Sequence, residues 1–378
     1  MSGLSWMLAL LAAAYLLVGF YGMVFRDRGA LDLRLRWLSQ QTAAKEASPD
    51  AITETIQYQP YPPWAFFSGQ LFVLSMSWAA SKIYFAGVNL VALLSLVWWL
   101  ILIGKGYSNV ERWFVICTAF AVAGMAVCLR LGQYSIIVTA CLAWMIWLLE
   151  RKKELLAGIL LGVAMIKPHL AIPFACIPLV RRQWRCLMVT LIYLAVGTLV
   201  SGVDSGESLL ESFRGMNNAI HKDMRMGLLD GLKWIGLNHV QVMVIGLVVG
   251  GSICIWFIHK YQHVSSLTLA ALCAVTSLLW SYSRRYDQSL LFFLMVAIAS
   301  RVPNPHGRNA WFPFLVVGIT VWTPFTEPLW HGCLPVVIGA IWIFGVAWLC
   351  VETSAQVAVK QADVSKSVGP TNSSFCDS

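Results

Sequence analysis

The chain has 378 residues, of which 58% are hydrophobic and only 12% charged. Soluble proteins run about 45–50% apolar and about 25% charged, so this composition excludes an ordinary soluble enzyme. The net charge of +9 does not point to nucleic acid, because the basic residues fall in short clusters between apolar blocks and form no continuous stripe.

The first apolar block, Leu4–Val24, is long and lacks a basic leader, so it predicts a retained first membrane helix. A polar stretch, Phe25–Tyr61, follows. Tyr61–Lys82 is apolar but opens Tyr61-Pro62-Pro63, which suits a helix start, and it holds Gly69, Ser75 and Ser77. It predicts a juxtamembrane or re-entrant helix. Ile83–Gly104 is the second span, and two more flank Arg130–Tyr134. Another pair flanks Lys167-Pro168-His169, and Cys186–Gly202 is the seventh. A second polar stretch, Val203–Asn238, precedes a helix ending near His259. Two helices flank Ser281–Asp287, and two more end the membrane part at Val351. The expectation is an all-α polytopic bundle of about 12 transmembrane helices, each near the ~20 residues that cross the hydrocarbon. Residues 1–351 form one multi-pass domain with outer loops at about 25–82 and 203–238, and 352–378 form a disordered cytoplasmic tail.

The ten cysteines form no CxxC pair, and many, such as Cys117, Cys141, Cys254 and Cys273, sit inside apolar blocks. They read as small hydrophobes. No residue set resembles a phosphate-binding glycine loop, a haem site or a zinc site. No cofactor and no metal are expected.

Charge sorts the loops. One side receives Lys105, Arg112, Arg151, Lys152, Lys153, Arg181, Arg182, Arg185, Lys260, Arg301 and Arg308. The positive-inside rule makes that side cytoplasmic and puts both termini there. The polar interruptions all fall on the opposite, outer side, where ionisable groups near membrane depth are functional candidates. Asp32 suits a general base toward a sugar hydroxyl, or an acid balanced by Arg34 and Arg36. Asp27 is a weaker candidate for the same role. In Arg130-Leu-Gly-Gln-Tyr134, Gly132 allows a tight turn and close approach of a ligand, and Gln133 suits a hydrogen bond to a sugar; a plain turn is the competing reading. Lys167 suits a phosphate as a point charge, or snorkels to the interface. Arg284 and Arg285 suit phosphate oxygens, or close a turn with Asp287. His221, Lys222, Asp223, Arg225, Glu327 and His331 read as solvated loop residues. An acid and several cations on one outer face suit a substrate with a phosphate and hydroxyls, and equally a transporter.

The order of these segments resembles glycosyltransferase family 87, polyprenol-phosphate-dependent membrane enzymes of the GT-C fold. The resemblance rests on Asp32 after the first helix, Tyr61-Pro62-Pro63 opening an apolar helix and Leu131-Gly132-Gln133 before another. It continues with Ala157–Pro168, the basic-aromatic loop Arg181–Arg185, and Ser281-Tyr-Ser-Arg-Arg-Tyr-Asp287. It covers roughly Leu4–Phe293, and Arg130–Arg185 is its most specific part. It implies transfer of a sugar, typically mannose, from a polyprenyl-phosphate donor to a lipid-linked or glycan hydroxyl on the outer face of the plasma membrane, with inversion. Asp32 matches the family's acid and would be the catalytic base. Lys167 and Gln133 match pocket positions; His169, Arg130, Arg284, Arg285, Tyr286 and Tyr61 complete the expected substrate-binding set. Tyr282 stands where many relatives carry proline, and Tyr286 where an aromatic or histidine sits. The alternative reading is a transporter or flippase of a lipid-linked saccharide, which would more often show internal repeats; none is evident.

Overall fold

A computed structural model describes residues 1–26, 29–43, 62–73, 76–205, 241, 244–280, 284–303, 310–323 and 334–367. Regular structure among them is entirely helical. In chain order the α-helices are α1 (Ser2–Phe25), α2 (Leu31–Ala43), α3 (Pro63–Gln70), α4 (Trp78–Ile103), α5 (Asn109–Phe120), α6 (Ala123–Leu131), α7 (Ser135–Glu150), α8 (Glu154–Ala164), α9 (Pro168–Val180) and α10 (Trp184–Ser205). After a π turn at Gly246–Gly250 come α11 (Gly251–Lys260) and α12 (Ser266–Leu279). A 3-10 helix, Arg285–Leu291, leads into α13 (Phe292–Ala299), and α14 (Trp311–Trp322) and α15 (Leu334–Ser367) follow.

The ends of these helices follow from local chemistry. Ser77 accepts from the Ala80 N–H and starts α4. Ser108 and Glu111 form a reciprocal capping box at the start of α5, which satisfies backbone donors that the first turn leaves open. Pro168 opens α9 at a position where its missing N–H costs nothing. Gly132 ends α6 in the left-handed region at φ +68°.

Among the described residues, four helices are long and apolar enough to cross a membrane: Ser2–Phe25, Trp78–Ile103, Trp184–Gly202 and Val336–Ala355. The pair α5–α6, bent by 50°, makes a fifth if counted as one broken span. The remaining apolar helices among the described residues, such as Ser135–Glu150 and Ser266–Leu279, are shorter than a full crossing. Apolar side chains such as Trp6, Leu10, Leu17 and Phe25 on α1 are exposed, as lipid-facing residues must be. By contrast α13 buries every one of its residues. Such a helix, apolar all round, belongs in the centre of a bundle. Phe293 there meets Phe174 of α9 at 5.3 Å between ring centroids, and Phe292 meets Trp99 of α4 at 6.0 Å.

Three expectations change. The polar stretch Phe25–Tyr61 contains α2, whose leucines and Trp37 give it an apolar side. Tyr61–Lys82 holds only the 8-residue α3 before a break, and α4 already starts at Trp78. The predicted disordered tail does not begin at Glu352, because α15 runs on to Ser367. That segment, Glu352–Ser367, is rich in Ala, Gln and Lys, good helix formers that extend a helix already nucleated in the apolar part.

Helices α7, α8 and α9 each run from one end of the bundle to the other. At 1.5 Å per residue, α7 alone separates its ends by about 24 Å. At one end the α7–α8 and α9–α10 turns meet: Gln183 Nε2 donates to Leu149 O at 3.3 Å. Arg181 links this end to the start of α12 through Ser266 Oγ at 3.0 Å. The basic loops therefore do share one end. The turns at Arg130–Tyr134, Lys167–His169 and Arg284–Asp287 share the other.

Candidate active site

The site begins with a glycine. At φ +68°, Gly132 turns the chain from α6 into α7 in a conformation that L side chains rarely adopt. It also has no room to grow: a Cβ there would lie 2.7 Å from Leu33 Cβ and 3.2 Å from Ala30 Cβ. What approaches Gly132 closely is thus the first turn of α2, not a ligand. The Ala30 N–H donates to Arg130 O at 2.9 Å, and Arg36 donates to Gly132 O at 3.0 Å. Trp37 ties the other side of α2 down through Met76 O at 2.7 Å.

This docking sets Asp32 beside Gln133. The Gln133 side-chain amide donates to the Asp32 carboxylate, while its carbonyl accepts from Arg36 at 2.8 Å. The two alternatives for Asp32, base or balanced acid, are therefore joined in one relay: Gln133 stands between the carboxylate and the guanidinium. Arg36 also lies 3.9 Å over the Tyr134 ring, which Phe72 and Phe85 flank at 6.0 and 5.7 Å. Asp32 is half-buried and sits in the first turn of α2, where the helix dipole favours a negative charge.

Two residues further on, Ser135 belongs to a second cluster. Lys167 Nζ donates to Asp287 Oδ1 and to Ser135 Oγ, each at 2.8 Å. Ser135 Oγ in turn donates to Asp287 Oδ1 at 2.8 Å. His169 Nε2 lies 3.5 Å from Asp287 Oδ2, which accepts from the Arg284 N–H at 3.0 Å. Tyr286 closes the cluster with its ring 4.3 Å from Lys167 Nζ. Lys167 is 2% exposed and Asp287 0%. Asp287 lies in a turn outside the candidate spans. Burial by itself would push its carboxyl up, but the Lys167 charge and then His169 outweigh burial and hold it below the usual carboxylate range.

Four helix starts meet around these two clusters: α2 at Leu31, α7 at Ser135, α9 at Pro168 and the 3-10 helix at Arg285. Their positive dipole ends suit anions. Gly124 helps to bring them together, since a Cβ there would fall 2.8 Å from Arg285 O and 2.9 Å from Gln288 Cβ. The Trp64 indole of α3 donates to Met165 O at 2.9 Å and places that short helix beside the Lys167 turn.

The structure brings together Asp32, Gln133, Lys167, His169, Arg284, Arg285 and Tyr286. Arg130 is exposed, and its stem lies against Gly22 of α1. Lys167 neither snorkels nor stands open to a ligand; its charge is matched by Asp287. Asp287 pairs with Lys167 and also accepts from the Arg284 backbone N–H, which closes the turn. Tyr61, Asp27, Tyr282, Arg308, the solvated loop candidates and most of the Val203–Asn238 loop lie outside the described residues. Sequence reasoning missed Ser135, and gave Asp287 and Arg36 only as partners of neighbouring charges. Asp287 had a signal: it is the acid in the Arg284-Arg285-Tyr286-Asp287 turn between two apolar blocks.

Residues 58–303 match glycosyltransferase family 87, which is more than half of the chain. The chain is a member of glycosyltransferase family 87. A search of curated proteins finds no match. Membership makes it a membrane glycosyltransferase. The matched region contains Gln133, Ser135, Lys167, His169 and Arg284–Asp287, but it begins after Asp32 and Arg36. In this family 87 chain it is the Gln133 bridge that ties the acid of α2 to the matched segment.

Proposed function

We propose that this family 87 enzyme transfers a hexose, with mannose as the expected sugar, from a polyprenyl-phosphate carrier to a hydroxyl of a lipid-linked or glycan acceptor. The reaction takes place at the extracytoplasmic face of the plasma membrane in a GT-C-type bundle whose termini lie in the cytoplasm. The observation that carries this reading is a half-buried carboxylate, Asp32, held by Gln133, two residues before the Ser135 of the buried Lys167–Asp287 pair, among helix N-termini. Support for the orientation comes from the basic loops gathered at the far end.

In this scheme the acceptor hydroxyl oxygen forms a bond to the anomeric carbon from the face opposite the phosphate. Asp32 takes the hydroxyl proton, and the bond from the anomeric carbon to the phosphate oxygen breaks, so the sugar inverts. The polyprenyl phosphate leaves with the bonding electron pair. The sugar phosphate is itself activated, so no cofactor is required. The developing phosphate charge is assigned to Arg284, Arg285 and His169 and to the helix starts, which are preorganised for an anion. Lys167 and Asp287 hold His169 and Tyr286 in place.

The test is sugar transfer by purified protein in detergent with radiolabelled polyprenyl-phosphate-mannose and a mixed lipid acceptor. Wild type should yield a labelled product. Asp32→Asn should lose at least ~100-fold in rate, the scale of general-base catalysis, while its thermal unfolding stays unchanged. Full turnover in Asp32→Asn would remove the base assignment. A donor panel on the wild type separates a different sugar from a different reaction.

A further inference from the structure

The end of the bundle opposite Asp32 holds a cavity of about 660 Å³, within the ~300–1,000 Å³ range of small-molecule sites. The ends of α4, α7 and α13 and the starts of α5 and α12 contribute to its wall. Trp99 of α4 lines it, is 2% exposed, and has an indole N–H with no hydrogen-bond partner. A buried donor without an acceptor is destabilising, and native structures seldom keep one without reason. Two guanidiniums share the wall. Arg301 is fixed by its bond to Thr353 Oγ1 at 3.1 Å, and Arg151 is stacked 3.4 Å over the Trp147 ring. Two carboxylates face them, Glu111 and Glu150. Glu150 is the last residue of α7, at the negative end of the helix dipole, where a cation is favoured.

We propose that this cavity binds a phosphodiester carrying a primary ammonium group, supplied by a phosphatidylethanolamine headgroup of the leaflet at the basic end. The arginines and the Trp99 N–H take the phosphate oxygens, and Glu150 and Glu111 take the ammonium. The charges on the wall balance, which suits a zwitterion better than an anionic lipid. A quaternary headgroup would offer the carboxylates no N–H donor. Ile103, at the end of a membrane span, is 37% exposed on the cavity wall, which places the site at headgroup depth.

Native mass spectrometry of delipidated full-length protein tests this, with phosphatidylethanolamine, phosphatidylcholine and phosphatidylglycerol added at equal concentration. One phosphatidylethanolamine should be retained about tenfold more tightly than either other lipid, the scale of one charge-assisted hydrogen bond. Glu150→Gln, at an exposed position, should erase that preference, and Trp99→Phe should weaken retention of all three. Equal retention of the three lipids, or an unchanged preference in Glu150→Gln, overturns the proposal. Should Trp99→Phe fail to fold, Glu150→Gln decides alone. Soluble phosphoethanolamine is the last arm. Displacement of the lipid only by other lipid identifies a membrane source, and displacement by the soluble compound at matched concentration overturns it in favour of a free metabolite.

Discussion

Lys167 and Asp287 sit 2.8 Å apart with almost no exposure, so each is the other's solvent. Removing one partner of such a pair strands a buried charge, whereas replacing both with apolar groups often costs little. Lys167→Met should therefore lower unfolding stability by about 3–5 kcal/mol. Lys167→Met combined with Asp287→Leu should recover most of it, as read by thermal unfolding in detergent. The same double variant should remain poor in sugar transfer, because His169 and Tyr286 lose their anchor. Gly132 gives a second residue-scale test. Gly132→Ala must hold a β-carbon in the left-handed region, which costs roughly 1–2 kcal/mol, and must displace Leu33. The expected outcome is a folded protein with a modest loss of stability and a large loss of transfer, since α2 and Asp32 move away from Gln133. An unchanged rate would mean that the contact between Gly132 and α2 does not position the acid.

At the scale of elements, the site is made by helix starts. Polar residues that interrupt apolar blocks were legible one by one: Gln133, Lys167 and Arg284 each stand at a break between helices. Their partners were not. Ser135 and Asp287 are 152 residues apart in sequence, and only the packing of α7 against the 3-10 helix joins them. The same packing explains why α6 is short and bent away from α5, with Gly124 pressed on the 3-10 helix. Gly124→Ala should cost about 1–3 kcal/mol by overpacking. It should reduce stability and transfer together, in contrast to Gly132→Ala, where transfer falls first. Parallel measurement of both variants distinguishes a packing contact from a positioning one.

At the scale of the molecule, the bundle has a basic end and an end that carries Asp32, proposed to be the catalytic one. A single cysteine introduced at Arg182, in the exposed α9–α10 turn, should be labelled by an impermeant maleimide only after the membrane is opened. One introduced at Leu31, 52% exposed at the start of α2, should be labelled in intact cells. The reverse pattern would place the catalytic end in the cytoplasm and remove the lipid-carrier scheme as stated.

Amphipathic order and charge placement are local, so the sequence by itself determined that this chain is a helical membrane protein and that its polar turns alternate with its basic ones. A family resemblance carried by Arg130–Arg185 was likewise readable, because turn residues keep their spacing along the chain. Only the tertiary structure decided which polar side chains neutralise one another. A lysine in sequence looks the same whether it faces a phosphate or an aspartate; burial and a partner from a distant helix make Lys167 one half of an ion pair, and set Asp32, half-buried on α2, against Gln133. Helix continuation past Glu352 was also decided in space, since a polar segment that would be marginal alone is extended from a nucleus packed in the bundle.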